Sequence, residues 1–208
     1  MWQLPFVQDE YAAACARAGF PIEVMPCTLY DKNTNLSAEI SQITGEKNEK
    51  WLGIAPFAKH QAKIYPFEKT QEIIHYFSEK DVKIFLFGGK ADAEILERAI
   101  YNNVYSLAGK ISLADELKMM ARLDCMLSMD SANMHLANLV DVPVVSLWGA
   151  THPFAGFVSI GNMKNAIVQQ DLECRPCSVF GNKPCYKGTY ECMDIAPEKI
   201  IKTIESIL

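Results

Sequence analysis

The sequence predicts an α/β domain: an open, mostly parallel sheet with helices covering both faces. Three observations predict it. Short apolar runs such as Trp51 to Ala55, residues 82–87 and residues 124–129 have the length of buried strands, and the first two also have β-branched and aromatic content. Segments with apolar spacing of three and four residues follow them, the alternation that gives parallel strands joined by crossover helices. The residues with chemistry to offer fall just after the strands, at the sheet edge where open α/β sheets hold their ligands.

In order, residues 6–18 read as an Ala-rich helix stopped by Gly19, and residues 21–28 as a short strand. Residues 31–50 are polar with scattered apolar positions and read as a linker holding one short helix. A strand over Trp51 to Ala55 ends at Pro56. Residues 67–80 carry Phe67, Ile73, Ile74 and Phe77 at helical spacing. The strand over 82–87 runs into Gly88-Gly89, and a helix over about 91–101 follows. The next helix covers about 112–122, with Ser112 as N-cap and Asp115 three residues on in an imperfect capping box. Then come a strand over 124–129, a helix over about 131–140 and a strand over 142–147. After a long loop containing the clustered cysteines, Pro197 starts a final amphipathic helix.

Composition narrows the function classes. The chain has 208 residues, 50% hydrophobic and 22% charged, which excludes a disordered tail. Lys+Arg number 20 against Asp+Glu 25, and the net charge of -5 argues against a nucleic-acid binder. No apolar stretch approaches the roughly 18 residues of a membrane span, and Asp9 and Glu10 interrupt any signal-like start. The expectation is a soluble, cytoplasmic chain of one domain plus a remnant. Of seven cysteines, Cys15, Cys27 and Cys125 read as small buried hydrophobes. Cys174, Cys177, Cys185 and Cys192 are clustered as C-x2-C-x7-C-x6-C, a spacing that suits a metal site in a reducing compartment and equally four free thiols.

Four stretches carry the chemistry. Residues 56–66 hold Lys59, His60 and Lys63 with no acid between Trp51 and Phe67, which suits an anion such as a diphosphate or a solvated loop. Gly88-Gly89 allows close backbone approach or makes a tight turn, and G-x-G-x-x-G is absent, which counts against a nicotinamide-dependent dehydrogenase. Asp130 and Ser131 stand where strand meets helix, where either can cap; the first-turn N–H groups can bind phosphate. Ser131 and His135, four apart, share a helix face. Gly149, Thr151 and His152 follow the next strand and could touch a nucleotide or sugar, or form a plain loop.

With these residues in view, the chain from about Trp51 to Leu208 resembles the carboxyl-terminal half of family 9 glycosyltransferases, the lipopolysaccharide heptosyltransferase family. Met129-Asp130-Ser131-Ala132-Asn133-Met134-His135-Leu136-Ala137 fits its D-[ST]-[GA]-x-x-H-L-A motif. Residues 143–149 match its strand and following loop, and Lys63-Ile64-Tyr65-Pro66 fits its K-x-[WY]-P element.

The resemblance implies a GT-B architecture of two Rossmann-like domains. Residues 49–208 would be the nucleotide-sugar donor domain, and residues 1–48 a remnant of the amino-terminal domain plus linker. The activity implied is transfer of a sugar, typically from ADP-heptose, to a lipopolysaccharide or other glycan acceptor. The alternative is a non-catalytic nucleotide-binding module acting with a separate amino-terminal chain. Lys63 would contact the donor diphosphate, while Asp130, Ser131, Ala132 and His135 line the donor site. Asp92 is a candidate contact to the nucleoside, and Lys59 and Gly149 complete the set. Ala58 and Lys59 stand where the best-known members have a Thr/Ser pair, exchanging hydroxyl contacts for a charge. The catalytic base would belong to the absent amino-terminal domain, so the chain alone should transfer little or no sugar. Transfer would need no metal cofactor. Relatives carry a C-x-P-C segment like Cys174-Arg175-Pro176-Cys177, and the four clustered cysteines could hold a structural zinc. The expected setting is cytoplasmic and peripheral at the inner membrane. Apolar surface on helix 6–18 and on the final helix would then be exposed in the chain alone.

Overall fold

The structure, a computed structural model, describes residues 2–25, 28–158 and 164–208. Its centre is a six-stranded sheet of β1 (Lys50–Ala55), β2 (Val82–Leu86), β3 (Val104–Ser106), β4 (Cys125–Met129), β5 (Val144–Trp148) and β6 (Ala166–Gln169). Their order is β3-β2-β1-β4-β5-β6 and every neighbouring pair is parallel. The order reverses between β1 and β4, which opens a crevice at their carboxyl ends. This is the expected Rossmann-like α/β fold.

The sheet separates two cores, and side-chain alternation sorts residues between them. Leu52 and Ile54 of β1 and Cys125, Leu127 and Met129 of β4 face one core. There they meet Ile73, Ile74 and Phe77 of α3 (Phe67–Ser78) and Ile200 and Ile204 of α7 (Pro197–Glu205). Trp51, Ala55 and Met126 face the other, with Met119 and Met120 of α5 (Leu113–Met120) and Met134 and Ala137 of α6 (Ala132–Leu139). Gly53 lies on this second side. A Cβ there would come within 2.5 Å of Leu123 Cδ1 and Met126 Sδ, so the strand must be bare at this point.

Local chemistry sets the helix ends. Ser112 Oγ accepts from Asp115 N at 3.2 Å and donates to the Asp115 carboxylate at 2.8 Å, so the expected cap forms. The short helix expected within 31–50 is α2 (Ala38–Thr44), capped by Ser37 and ended by Gly45 at φ +66°. Its Ile40 and Thr44 are buried, so this stretch packs onto the sheet. The amino-terminal helix is α1 (Val7–Arg17); it buries no residue, and Cys15 is half-buried rather than core. The final helix differs from expectation, for Ile200 and Ile204 are fully buried beside α3. Cys125 is buried as expected, and Cys27 lies outside the described residues.

Other differences have physical causes. Residues 21–25 form no strand: Ile22, Val24 and Met25 are exposed, so their apolar side chains have no core to pack on. The helix expected over 91–101 shrinks to a 3-10 turn at Lys90–Asp92 and α4 (Ala93–Glu97). The chain then turns through Asn102 at φ +45° into β3. β3 is only three residues long, too short to show a period. β6 lies in the stretch read as a long loop; it is an edge strand, and Ile167 faces solvent.

Candidate functional site

A cleft of about 550 Å³ opens at the carboxyl ends of β1, β2 and β4. The segment after β1 supplies Phe57, Lys59, His60 and Lys63; that after β2, Gly88, Gly89 and Asp92; that after β4, Asp130, Ser131, Ala132, Asn133 and His135. Phe157, Val179 and Phe180 close the far wall. Three strand exits that are far apart in sequence thus meet in one place.

Lys63 ends a 3-10 turn (Gln61–Lys63), and its ammonium reaches Asp130 Oδ2 at 2.8 Å. Both side chains are largely withdrawn from water, at 16% and 5% exposure. Sequence left the cap of α6 open between Asp130 and Ser131, and neither side chain takes it. Ser131 occupies the N-cap position without a side-chain cap bond, and its hydroxyl stands 3.3 Å from that of Ser128. Among the described residues no side chain caps the first turn of α6, and its Ser131, Ala132 and Asn133 line the cleft beside Lys63, where free first-turn N–H groups can meet an anion. Asp92 is in the lining too, its carboxylate accepting from Gly89 N at 2.8 Å and stapling the glycine turn.

His135 sits one helical turn beyond Ser131. Its side chain is exposed at the cleft, yet the protein packed around the ring pushes its pKa below the usual histidine value. Lys63 adds to that shift and Asp130 opposes it. Lys59 is exposed at the rim. The site thus joins the ion-paired Lys63 ammonium and the amino end of α6 to aromatic walls formed by Phe57 and by Phe157 against Phe180, whose ring centroids are 5.7 Å apart. Such a site accommodates an anion attached to a flat or apolar group.

Lys59, Lys63, Asp92, Asp130, Ser131, Ala132 and His135 come together as expected. Gly149 does not. It lies behind the cleft, where a Cβ would stand 2.5 Å from Ala62 O, and its own carbonyl accepts from Arg175 Nε at 2.5 Å. Thr151 is 1% exposed and donates to Asp130 Oδ2 at 2.7 Å, while His152 Nδ1 accepts from Phe154 N. Neither lines the cleft. Sequence reasoning missed the wall residues Phe157, Val179 and Phe180, and the buried Arg175. The wall residues carry no local pattern and arrive from loops about 20 to 43 residues beyond the motif.

Cys174, Cys177, Cys185 and Cys192 all border one small pocket against Ala150, with Arg175 beside them. The loop's N–H groups, that of Tyr190 foremost, pull the Cys185 thiol below its ordinary pKa, whereas burial pushes Cys192 up and Arg175 opposes that. All four are free thiols, and among the described residues no group of three or more His, Cys, Asp or Glu is arranged to hold a metal ion. No helix among the described residues is long and apolar enough to cross a membrane.

Comparison with known proteins sets this geometry in context. Residues 1–186 match the family model described as glycosyltransferase family 9 (heptosyltransferase). That match takes in the first 48 residues, beyond the stretch that carried the resemblance. The chain is 28% identical over 172 residues to lipooligosaccharide heptosyltransferase 2 of Campylobacter jejuni, covering 78% of this chain and 52% of the relative. A solved family 9 glycosyl transferase from Veillonella parvula superposes with a TM-score of 0.78 at 18% identity, covering 99% of this chain and 60% of that one. The E. coli heptosyltransferase WaaC, solved with ADP, gives a TM-score of 0.61 at 19% identity over 85% of this chain and 48% of that one. The chain spans about half the length of the curated relatives it matches.

Proposed function

The chain belongs to glycosyltransferase family 9, and from that membership we propose that its cleft binds the nucleoside diphosphate of a sugar donor, ADP-heptose or a close analogue, for transfer to a lipopolysaccharide or other glycan acceptor. One observation carries the reading: the Lys63 ammonium and the amino terminus of α6, which Ser131 leaves without a side-chain cap, line the same cleft. When the glycosidic bond to the donor breaks, the leaving diphosphate gains negative charge. A fixed ammonium and oriented N–H groups stabilise that charge, which is how such a site favours departure without a metal. Lys59 and His135 add positive or donor character at the rim, and the phenylalanine walls suit the flat base.

The proposal assigns no general base to this chain. Proton removal from an acceptor hydroxyl needs a group within hydrogen-bond reach, and we assign it to the other half of a two-domain enzyme. Residues 49–208 are then the donor domain, and residues 1–48 the passage to its partner domain. The exposed Trp2, Tyr11, Phe20 and Met25 are apolar surface that such a domain, on the same or a separate chain, would cover. With a lipopolysaccharide acceptor, the same reading puts the protein at the cytoplasmic face of the inner membrane as a peripheral enzyme.

The test is calorimetric titration with ADP, UDP and ADP-sugars. Saturable binding of an adenine diphosphate is expected, and no measurable affinity for any of them overturns the reading. The zinc expectation also stands as a proposal: the four thiols border one pocket beside Arg175, and because no three of them are arranged to hold an ion, binding would require them to draw closer together. Elemental analysis of protein purified without added metal decides it: one zinc per chain is expected, and none removes the idea.

A further inference from the structure

We infer that Thr151 and Arg175 are positioning residues, which hold Asp130 and thereby aim the Lys63 ammonium into the cleft. The inference rests on the reading that Lys63 meets a donor diphosphate. Asp130 Oδ2 is a shared acceptor: Lys63 Nζ approaches at 2.8 Å and Thr151 Oγ1 donates to it at 2.7 Å. Asp130 and Thr151 are buried, at 4% and 1% exposure. A buried carboxylate with two such partners is fixed in place, and the cation bonded to it is fixed in turn.

Thr151 is itself clamped from behind. Its carbonyl accepts from Arg175 Nη2 at 2.9 Å, and Gly149 O accepts from Arg175 Nε at 2.5 Å. The same guanidinium donates to Gln170 O and to Gln169 Oε1. Arg175 is 8% exposed and always charged, so its fork of donors staples the exit of β5 to the segment after β6. The stapled segment also grips the turn that carries Lys63, for Ala150 N donates to Ala62 O at 3.0 Å. Residues 149–151 therefore hold both ends of the Lys63–Asp130 pair.

A separate contact comes from the same cysteine-bearing loop. Gly181, at φ +71°, lies so close to the lysine stem that a Cβ would meet Lys63 Cγ at 2.7 Å. Cys177 N and Ser178 N both donate to Ala150 O. The loop that bears the four cysteines thus touches the ion pair through Arg175 and Thr151, and directly through Gly181.

The experiment uses ADP as probe on the full chain. Thr151→Val is expected to weaken ADP binding up to about tenfold, because the Lys63 side chain must then be ordered when ADP binds. Thr151→Ser, which keeps the hydroxyl, is expected to stay within about twofold of the parent. In a Lys63→Met background Thr151→Val is expected to cost nothing further, since it acts through the ammonium. Arg175→Lys, which keeps charge but loses the fork, is expected to weaken ADP without adding to the Thr151→Val loss. Parent-like ADP affinity in Thr151→Val, or a full loss carried into the Lys63→Met background, overturns the inference while leaving the donor-site reading intact. A parent protein that binds no ADP overturns the donor-site reading instead. The positioning role is then read without ligand, from the Lys63→Met and Asp130→Asn cycle in urea unfolding. Their coupling is expected to shrink when Thr151 becomes Val, and coupling that stays unchanged overturns the inference.

Discussion

Replacing Lys63 by Met removes the ammonium but keeps a side chain of similar length against Gly181, so the charge alone is tested. Two effects of different size follow. Asp130, 5% exposed at its side chain, loses its cation and keeps Thr151 as a hydrogen-bond partner. Stripping one partner from a buried pair costs about 3–5 kcal/mol; because Lys63 is partly solvated and Thr151 remains, the low end applies. At roughly 2–4 °C per kcal/mol for a chain of this size, about 3 kcal/mol lowers Tm by about 6–12 °C. A bound diphosphate loses one charge-assisted hydrogen bond, about 1.5–3 kcal/mol, which weakens ADP binding by about 10- to 150-fold. Thermal unfolding and calorimetric titration read the two effects separately. Adding Asp130→Ala is expected to restore most of the stability and none of the affinity, because the buried charge is gone while the donor is still missing. Unchanged ADP affinity in Lys63→Met would falsify the role given to the lysine, and unchanged Tm would show that the pair does not form.

Three further outcomes are expected. His135 has a depressed folded-state pKa, so its stability contribution is full above the ordinary histidine value near 6.5 and lost as pH falls toward the folded value. An arriving diphosphate reverses that shift, so ADP binding near pH 6.5 should take up more protons, or release fewer, than in His135→Gln, since the terminal phosphate of ADP also titrates near this pH. Titrations in buffers of different ionisation heat measure this, and equal proton exchange in parent and variant refutes it. Gly53→Ala places a Cβ 2.5 Å from Leu123 and Met126, and overpacking should cost about 1–3 kcal/mol in urea unfolding; a variant as stable as the parent would contradict the packing of the second core. Burial pushes the Cys125 thiol up to about 12, so iodoacetamide at pH 8 should spare it in the folded protein, whereas rapid labelling there would place it nearer solvent.

Much of the site was legible because the sheet enforces it. In a parallel sheet every strand ends on the same edge, so Lys63 after β1, Asp92 after β2 and Asp130 to His135 after β4 converge once the strands are recognised. What failed to show lacks a period or a local partner. β3 is three residues long, β6 is a partly exposed edge strand, and residues 21–25 resemble a strand but stay irregular and exposed. Gly149 and Thr151 follow a strand like the true lining residues, and sequence does not distinguish facing the cleft from supporting it.

The sequence by itself determined the fold class, the family motif and the chemical character of the cleft, since hydrophobic period and residue type act locally. Tertiary structure alone decided which polar groups meet. Asp130 could have capped α6 by local geometry, yet it turns to Lys63 and Thr151, 67 and 21 residues away. A buried carboxylate gains more from an ammonium and a hydroxyl than from a helix N–H that solvent or a ligand can satisfy. Arg175, unremarkable within a C-x-P-C segment, likewise acquires its role because the fold brings the carbonyls of Gly149 and Thr151 within reach of one guanidinium.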